Sequence, residues 1–333
     1  MAGSRLIVTT MKNEGPFILE WIAYNLSVGF TDFLVYTNDC DDHTDDILVR
    51  LQELGIVRHE PNPMEGRRAS PQRLALRRAN THPLKLAAEW VMAADVDEFL
   101  NIRVGARQVD DLIEAAEGAG AISLCWKLFG SAGRERYLRQ FVTGQFTRAA
   151  GAAARHPQAR GFKTLWRNDG AFGRFGVHRP KQLDPDRRAG LKWVDGGGQP
   201  MPEKFLDDRG WAAHRGFRHD LARLHHYAVR SLDSFLVKRD RGRTNHVQHD
   251  QGLLYWKRMN MNQESDESIL PMIERARPVY GDLLSDGRLA ELHEAACCWH
   301  EAKIAELRAR PDWQDFIEDL MAEGGAERAE TAA

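Results

Sequence analysis

An apolar run ends in three acids, Asp95, Asp97 and Glu98, within the stretch WVMAADVDEF from Trp90 to Phe99. A short apolar run with large side chains predicts a buried strand, and carboxylates at its carboxyl end sit where open α/β sheets place their ligands. Asp95 and Asp97 are two residues apart, so on a strict strand they share one face and can converge on a hard divalent cation. Such an ion would bridge a diphosphate. A lone Asp-x-Asp also fits a solvated acidic turn closing a strand, so its weight depends on what surrounds it.

Two more polar loops follow strand-like segments upstream. Arg5 to Thr10 reads as a first strand, and Thr9-Thr10-Met11-Lys12-Asn13-Glu14 leads from it into a helix, with Asn13 as a cap and Pro16 near the first turn. Phe17, Trp21, Tyr24 and Val28 share one face of that helix, which Gly29 ends. Asp32 to Thr37 reads as a second strand. The acid-rich loop Asn38 to Asp46 follows and enters a helix striped by Ile47, Leu48, Leu51 and Leu54, where Asp45 and Asp46 suit capping. Ile56 to His59 is a short third strand, and Gln72 to Asn80 an arginine-bearing helix before the Trp90 strand. This β-α-β-α-β order predicts a mainly parallel, doubly wound sheet with three polar loops facing one crevice. Carboxylates so gathered repel one another unless a cation or hydrogen-bond donors offset them.

The second half is less regular. Ala121 to Phe129 reads as a strand; Gln108 to Glu117, Ser231 to Arg239, Gln251 to Met259 and Leu289 to Leu307 read as helices. Asp195 to Pro202 (DGGGQPMP) is expected to be a flexible turn or linker, and Ala149 to Ala159 a loose loop. The 333 residues are 43% apolar and can bury a large core, and the net charge of −2 points to no nucleic-acid partner. Charge is nevertheless uneven: residues 145–245 hold 21 Lys and Arg against 10 Asp and Glu, which suits phosphate-bearing or acidic ligands or an anionic membrane face. The four cysteines form neither a disulfide framework nor a zinc site. No run is long enough to span a membrane and no leader-like core opens the chain. The expected location is therefore cytoplasmic, with peripheral association at the inner face of the membrane as an option.

Taken in order, KNEGPFILEWIAYNLSVGF, FLVYTNDCDDHTDDIL, WVMAADVDEFL and the downstream HHYAVRSLDSFLVKRDRG resemble GT-A glycosyltransferases, particularly the family 2-like bacterial proteins with a DvDEF motif. One departure is Asn25, where that group often has His. The resemblance implies an α/β GT-A fold, a Rossmann-like, mainly parallel twisted sheet flanked by helices, with a helical C-terminal region. Residues 1–130 would form the nucleotide-sugar-binding half of one domain, 131–270 its acceptor-side half, 271–322 a C-terminal helical segment and 323–333 a disordered tail. It implies transfer of a sugar from a nucleotide-sugar donor, with UDP as the expected nucleotide, to a glycan or lipid-linked or other glycoconjugate acceptor, as in polysaccharide biosynthesis, with Mn2+ or Mg2+.

Residue by residue, Asp97 would hold the metal and Asp95 the metal or the donor ribose. Thr10, Lys12, Asn13 and Glu14 match the first donor loop, and Asp39 with Asp42 the base-side loop. His226 is the candidate third metal ligand, with His225 as rival, since a neutral imidazole joins carboxylates on Mn2+. Lys238 could reach the diphosphate as a point charge, with Arg239 or Arg241 beside it. Lys163, Trp166, Arg167 and His178 interleave bases with rings and could hold an acceptor sugar and its acidic groups, although Trp166, Phe172 and Phe175 singly suit a core. For the base, Asp250, His178 and Asp220 are candidates in that order. Two rival readings stand: a sugar-phosphate nucleotidyltransferase, which should show a glycine-rich basic loop after the first strand where this chain has one glycine, and a non-enzymatic carbohydrate- or nucleic-acid-binding module, which leaves the acidic crevice without a role.

Overall fold

A computed structural model describes residues 3–64, 70–151, 157–207, 209–213, 216–242 and 251–332. The strands are β1 (Arg5–Met11), β2 (Asp32–Thr37), β3 (Arg58–Pro61), β4 (Trp90–Ala93), β5 (Glu98–Ile102), β6 (Ala121–Leu128), β7 (Arg148–Ala149), β8 (Phe162–Arg167), β9 (Phe172–Arg174), β10 (Lys181–Leu183), β11 (Trp193–Asp195), β12 (Ala222–His226) and β13 (Glu264–Ser265). The helices are α1 (Gly15–Ser27), α2 (Thr44–Glu53), α3 (Pro71–Ala79), α4 (Pro83–Ala87), α5 (Val109–Ala115), α6 (Val142–Gln145), α7 (Leu232–Asp240), α8 (Leu253–Met259), α9 (Leu270–Leu284), α10 (Gly287–Ala309) and α11 (Gln314–Ala332). The last of these includes the stretch beyond Ala322 expected to be a loose tail.

The main sheet runs in the order β3-β2-β1-β4-β8-β6-β12-β5, with β11 also on β6. Its first four strands are parallel; β8 then reverses direction between β4 and β6, and β5 pairs antiparallel with β12 at the far edge. The expected architecture, a mainly parallel sheet flanked by helices with a helical C-terminal region, is thus the observed one. β1 is buried at every position, as strands covered by helices on both faces must be. On one face α1, α9 and α10 bury Trp21, Ile22, Met272, Ile273 and Leu292; on the other, α3 and the β9–β10 ribbon bury Leu76, Trp166, Phe172 and Phe175. α1 is also bonded to β5: Trp21 Nε1 donates to the Glu98 carbonyl at 3.1 Å and the Tyr24 hydroxyl to the Leu100 carbonyl at 2.9 Å. No helix among the described residues is long and apolar enough to cross a membrane.

Three local expectations differ from the structure. The cap of α1 is Glu14, not Asn13, which adopts a left-handed φ of 50° and turns its side chain to Asp41. The third strand begins two residues late, at Arg58. The DGGG segment is a packed turn: the Asp195 carboxylate accepts from the backbone N–H groups of Gly197 and Gln199, both at 2.9 Å, and of Arg218 at 2.7 Å. A Cβ on Gly196 would come within 2.3 Å of the Ala222 carbonyl oxygen, so glycine there serves close approach.

Candidate active site

The acid motif is a bend between two strands. β4 ends at Ala93, Asp95 to Asp97 turn the chain, and β5 begins at Glu98, so the two aspartates lie on no common strand face. The bend is closed by Glu98 N–H donating to the Asp95 carbonyl at 3.0 Å, and the Asp97 carbonyl accepts from Tyr227 N–H at 2.8 Å. The Glu98 carboxylate folds back, taking 2.9 Å and 2.7 Å bonds from Asp95 N–H and Trp126 Nε1.

Each acid meets a cation or donor from elsewhere in the chain. Lys163, 1% exposed on β8, lies 3.0 Å from Asp95 and 3.5 Å from Glu98. Gln72 donates to the other Asp95 oxygen at 2.6 Å. Lys238 on α7 donates to Asp97 at 2.6 Å and to the Ala228 carbonyl at 2.8 Å, and His226 Nε2 stands 3.5 Å from Asp97. Burial alone would raise the Asp97 carboxyl, but Lys238 and then His226 outweigh it and hold it well below the usual range. Glu98, deeper, goes the other way: burial pushes it up to about 7 against the pull of Lys163. The Lys163 ammonium is raised despite its burial, because Asp95 and Glu98 surround it.

A cavity of about 970 Å³ opens over this turn, at the carboxyl end of β4 and β1. Thr10, Lys12, Glu14, Asp95, Asp97, His178, His226 and Lys238 all line it. Glu14 is clamped by Arg241 at 2.5 Å and Arg230 at 3.1 Å, and Arg241 also donates to the Asn13 carbonyl at 2.8 Å, so the end of α7 fixes the first loop.

The remaining candidates lie elsewhere. The second loop does not reach the cavity. Asp42 is buried with its carboxylate taking the Gly15 N–H at 2.8 Å and the Thr44 N–H at 3.0 Å, Asp39 is exposed, and Asn13 pairs with Asp41. Asp41 and Asp42 brace the first loop through Asn13 and Gly15, and neither they nor Asp39 bounds the cavity. Lys163 faces the acids from beneath, Trp166 is core, and Arg167 is exposed beside Glu89 at 3.8 Å, so of the four acceptor candidates His178 alone lines the cavity. Alternation along β8 is the reason: the strand is buried on both faces until its last residue. His225 is sealed among Asn101 and Tyr227. Asp220 is exposed, pairs with Arg218 at 3.0 Å and is absent from the cavity wall, while Asp250 lies outside the described residues.

His178 follows β9 and lines the cavity. Its Nδ1 stands 3.1 Å from the Phe162 carbonyl, which can only accept, so Nδ1 carries the proton and Nε2 the lone pair. Burial, with Lys163 next, lowers its pKa to about 4. Two rings flank it: Trp126 at 5.6 Å and the exposed Trp211 at 5.7 Å. Gln72, Trp126 and Trp211 carried no motif in the sequence; an indole in a polar segment was the sole available signal for Trp211.

The donor types suit a divalent ion: two carboxylates and an imidazole whose Nδ1 is buried without a hydrogen-bond partner. Asp97 and His226 already face one another, whereas Asp95 is turned to Lys163 and Gln72. Among the described residues no three such groups are yet drawn together as a metal cluster.

Sequence comparison places the chain in a family. It belongs to glycosyltransferase family 92, whose profile matches residues 8–191, more than half of the chain. Family 92 proteins of Oryza sativa subsp. japonica and Ricinus communis are each 26% identical, over 160 and 147 residues, covering 46% and 42% of this chain. The chain spans about a quarter of the length of these relatives, 26% and 25%. S. aureus TarS 1–349 in complex with UDP is 16% identical over 50% of this chain and 47% of that one, with a TM-score of 0.32. The family is therefore 92, not the family 2-like group suggested by short motifs. Lys12 to Glu14 and Asp95 to Phe99 lie inside the matched stretch, so those motifs do not single out family 2, and the His225 to Gly242 segment lies beyond it.

Proposed function

We propose that this chain is a GT-A-type, divalent-metal-dependent enzyme that moves a sugar from a nucleotide-sugar donor, with UDP as the nucleotide, to a hydroxyl of a glycan or glycoconjugate at the cytoplasmic side of a membrane. The observation that carries the reading is the Asp95–Asp97 bend at the carboxyl end of β4, opening into a large cavity beside Lys12, Lys238 and Arg241.

Asp97 and His226 would hold Mn2+ or Mg2+, with Asp95 turning to the ion or the donor ribose. The ion would neutralise the departing diphosphate. Lys238, Lys12 and Arg241 add positive charge where that diphosphate would lie. His178 serves as base: its Nε2 takes the proton of the acceptor hydroxyl as the oxygen bonds to the anomeric carbon, and the bond from that carbon to the diphosphate oxygen breaks. The nucleoside diphosphate leaves with the electron pair. Thr10, whose hydroxyl is buried without a hydrogen-bond partner, offers the donor a free polar contact.

The test is hydrolysis or transfer of a UDP-sugar with added Mn2+, with chelator, and in Asp97→Asn. Activity should vanish with chelator and drop about a thousandfold in the variant. Turnover indifferent to both treatments would remove the metal mechanism.

A further inference from the structure

The charge on the cavity wall exceeds what a nucleotide donor calls for. Nine Lys and Arg side chains line it against three carboxylates, Glu14, Asp95 and Asp97. Two of those cations, Lys238 and Arg241, are matched to acids. Arg73, Arg77 and Arg174 stand on the wall formed by α3 and the β9–β10 ribbon.

Two features of that wall are locally unfavourable. Arg73 and Arg77 are four residues apart on α3, both exposed and both on the cavity, and like charges at that spacing on a helix repel. On the ribbon, Arg174 and Lys181 are directly opposed cross-strand partners, again both on the cavity, and opposed like charges destabilise a ribbon. The two elements are held in register by Phe175 N–H donating to Asn80 at 2.8 Å. Arg78, the neighbour facing away, is satisfied by Asn62 at 2.8 Å; no carboxylate pairs with Arg73, Arg77 or Arg174 among the described residues. Trp211, 41% exposed, lies on the same wall beside His178.

We propose that this wall binds an anionic group of the acceptor, a uronate carboxylate or a phosphate ester, carried on the sugar that stacks on Trp211 and presents its hydroxyl to His178. Arg77 and Arg174 are the principal anion contacts, since guanidinium groups match both anions with paired N–H donors. This inference rests on the glycosyltransferase reading and names the acceptor class for it.

The experiment is calorimetric titration of the whole protein with a glucuronate-containing trisaccharide, its carboxyl-reduced neutral counterpart, and the neutral trisaccharide phosphorylated at its terminal 6-hydroxyl, each with and without saturating UDP. UDP alone is titrated separately, so a failed donor site and a failed anion site are told apart. One or both anionic trisaccharides should bind about tenfold more tightly than the neutral one, and whichever does so names the source. Arg77→Gln with Arg174→Gln should abolish the preference while UDP affinity holds. Its melting temperature should be equal or higher, because the Arg73–Arg77 repulsion on α3 is relieved. Arg174→Glu should turn the preference toward the neutral sugar. Equal binding of all three sugars, no binding of any, a preference surviving in the double variant, or loss of UDP affinity in it would each overturn the proposal.

Discussion

The two halves of the sheet contribute opposite charges to the ion pairs at the floor of the cavity. Residues before 100, on β1, β4, the start of β5 and their loops, bring the acids Glu14, Asp95, Asp97 and Glu98; residues after 120 bring what holds those acids, namely Lys163 on β8, Trp126 on β6, His226 on β12, and Lys238 and Arg241 at the end of α7. Neither half is a site alone. A bend carrying three carboxylates would repel itself, and the cations would be buried without partners, so docking of the second half settles both problems at once.

The sharpest way to break this comparison is to remove a counter-charge from the second half and an acid from the first. Lys163→Met keeps volume but leaves the buried Glu98 and the half-buried Asp95 without their ammonium partner, and should cost about 3–5 kcal/mol in urea unfolding. Asp39→Ala, on the exposed second loop, should stay within about 0.5 kcal/mol. Equal effects from the two substitutions would mean the acid bend does not depend on the β8 ammonium.

The contrast also explains what the sequence made legible. The strand-helix alternation of the first hundred residues rests on local signals, apolar periodicity and glycine stops, and it survives in β1 to β4 and α1 to α3. The acid bend was legible because three carboxylates after an apolar run stand out. Its counter-charges were not, because they depend on strand order: nothing in FKTLWR says that β8 runs antiparallel beside β4 and so delivers Lys163 beneath Asp95. Lys163 therefore looked like a surface acceptor contact. The second loop misled in the opposite direction. Its acids seemed to face the crevice, but Asp42 is consumed by backbone N–H groups, a use that composition does not distinguish from ligand binding. Lys238 and His226 were found through a downstream motif, which encodes long-range proximity that local reading does not.

The comparison sharpens at His178, on the second half of the chain. With its pKa lowered to about 4, His178 stays neutral in the folded protein through the range in which a free histidine, at 6.5, gains a proton. Its Nε2 should therefore remain a base down to about pH 4, and kcat should hold through pH 6 with an acid limb near 4. His178→Gln should lower kcat about a hundredfold with donor KM unchanged and erase that limb. The sign for stability follows from the same shift: the unfolded chain binds more protons between pH 4 and 6.5, so this group's contribution weakens as pH falls through that window. An acid limb at 6.5, or a variant with normal kcat, would remove His178 from the chemistry.

A smaller effect than that of Lys163 or His178 should come from Asp42, and it separates bracing from binding within the first half. Its carboxylate joins the start of α1 to the start of α2 through Gly15 and Thr44, and Thr44 in turn accepts from Glu14 N–H at 2.9 Å. Asp42→Ala removes these caps and should cost about 1–2 kcal/mol of stability. It should weaken UDP only severalfold, through loosening of Lys12 and Glu14, because Asp42 does not line the cavity. Burial pushes its carboxyl up while the Thr44 and Gly15 bonds draw it down, so Asp42→Asn should recover little: an amide supplies one accepting oxygen where two N–H groups must be met. If Asp42 instead touched the nucleotide, the balance would invert, with UDP affinity falling about a hundredfold at unchanged stability. Measuring unfolding and UDP titration on the same preparation of Asp42→Ala decides between the two.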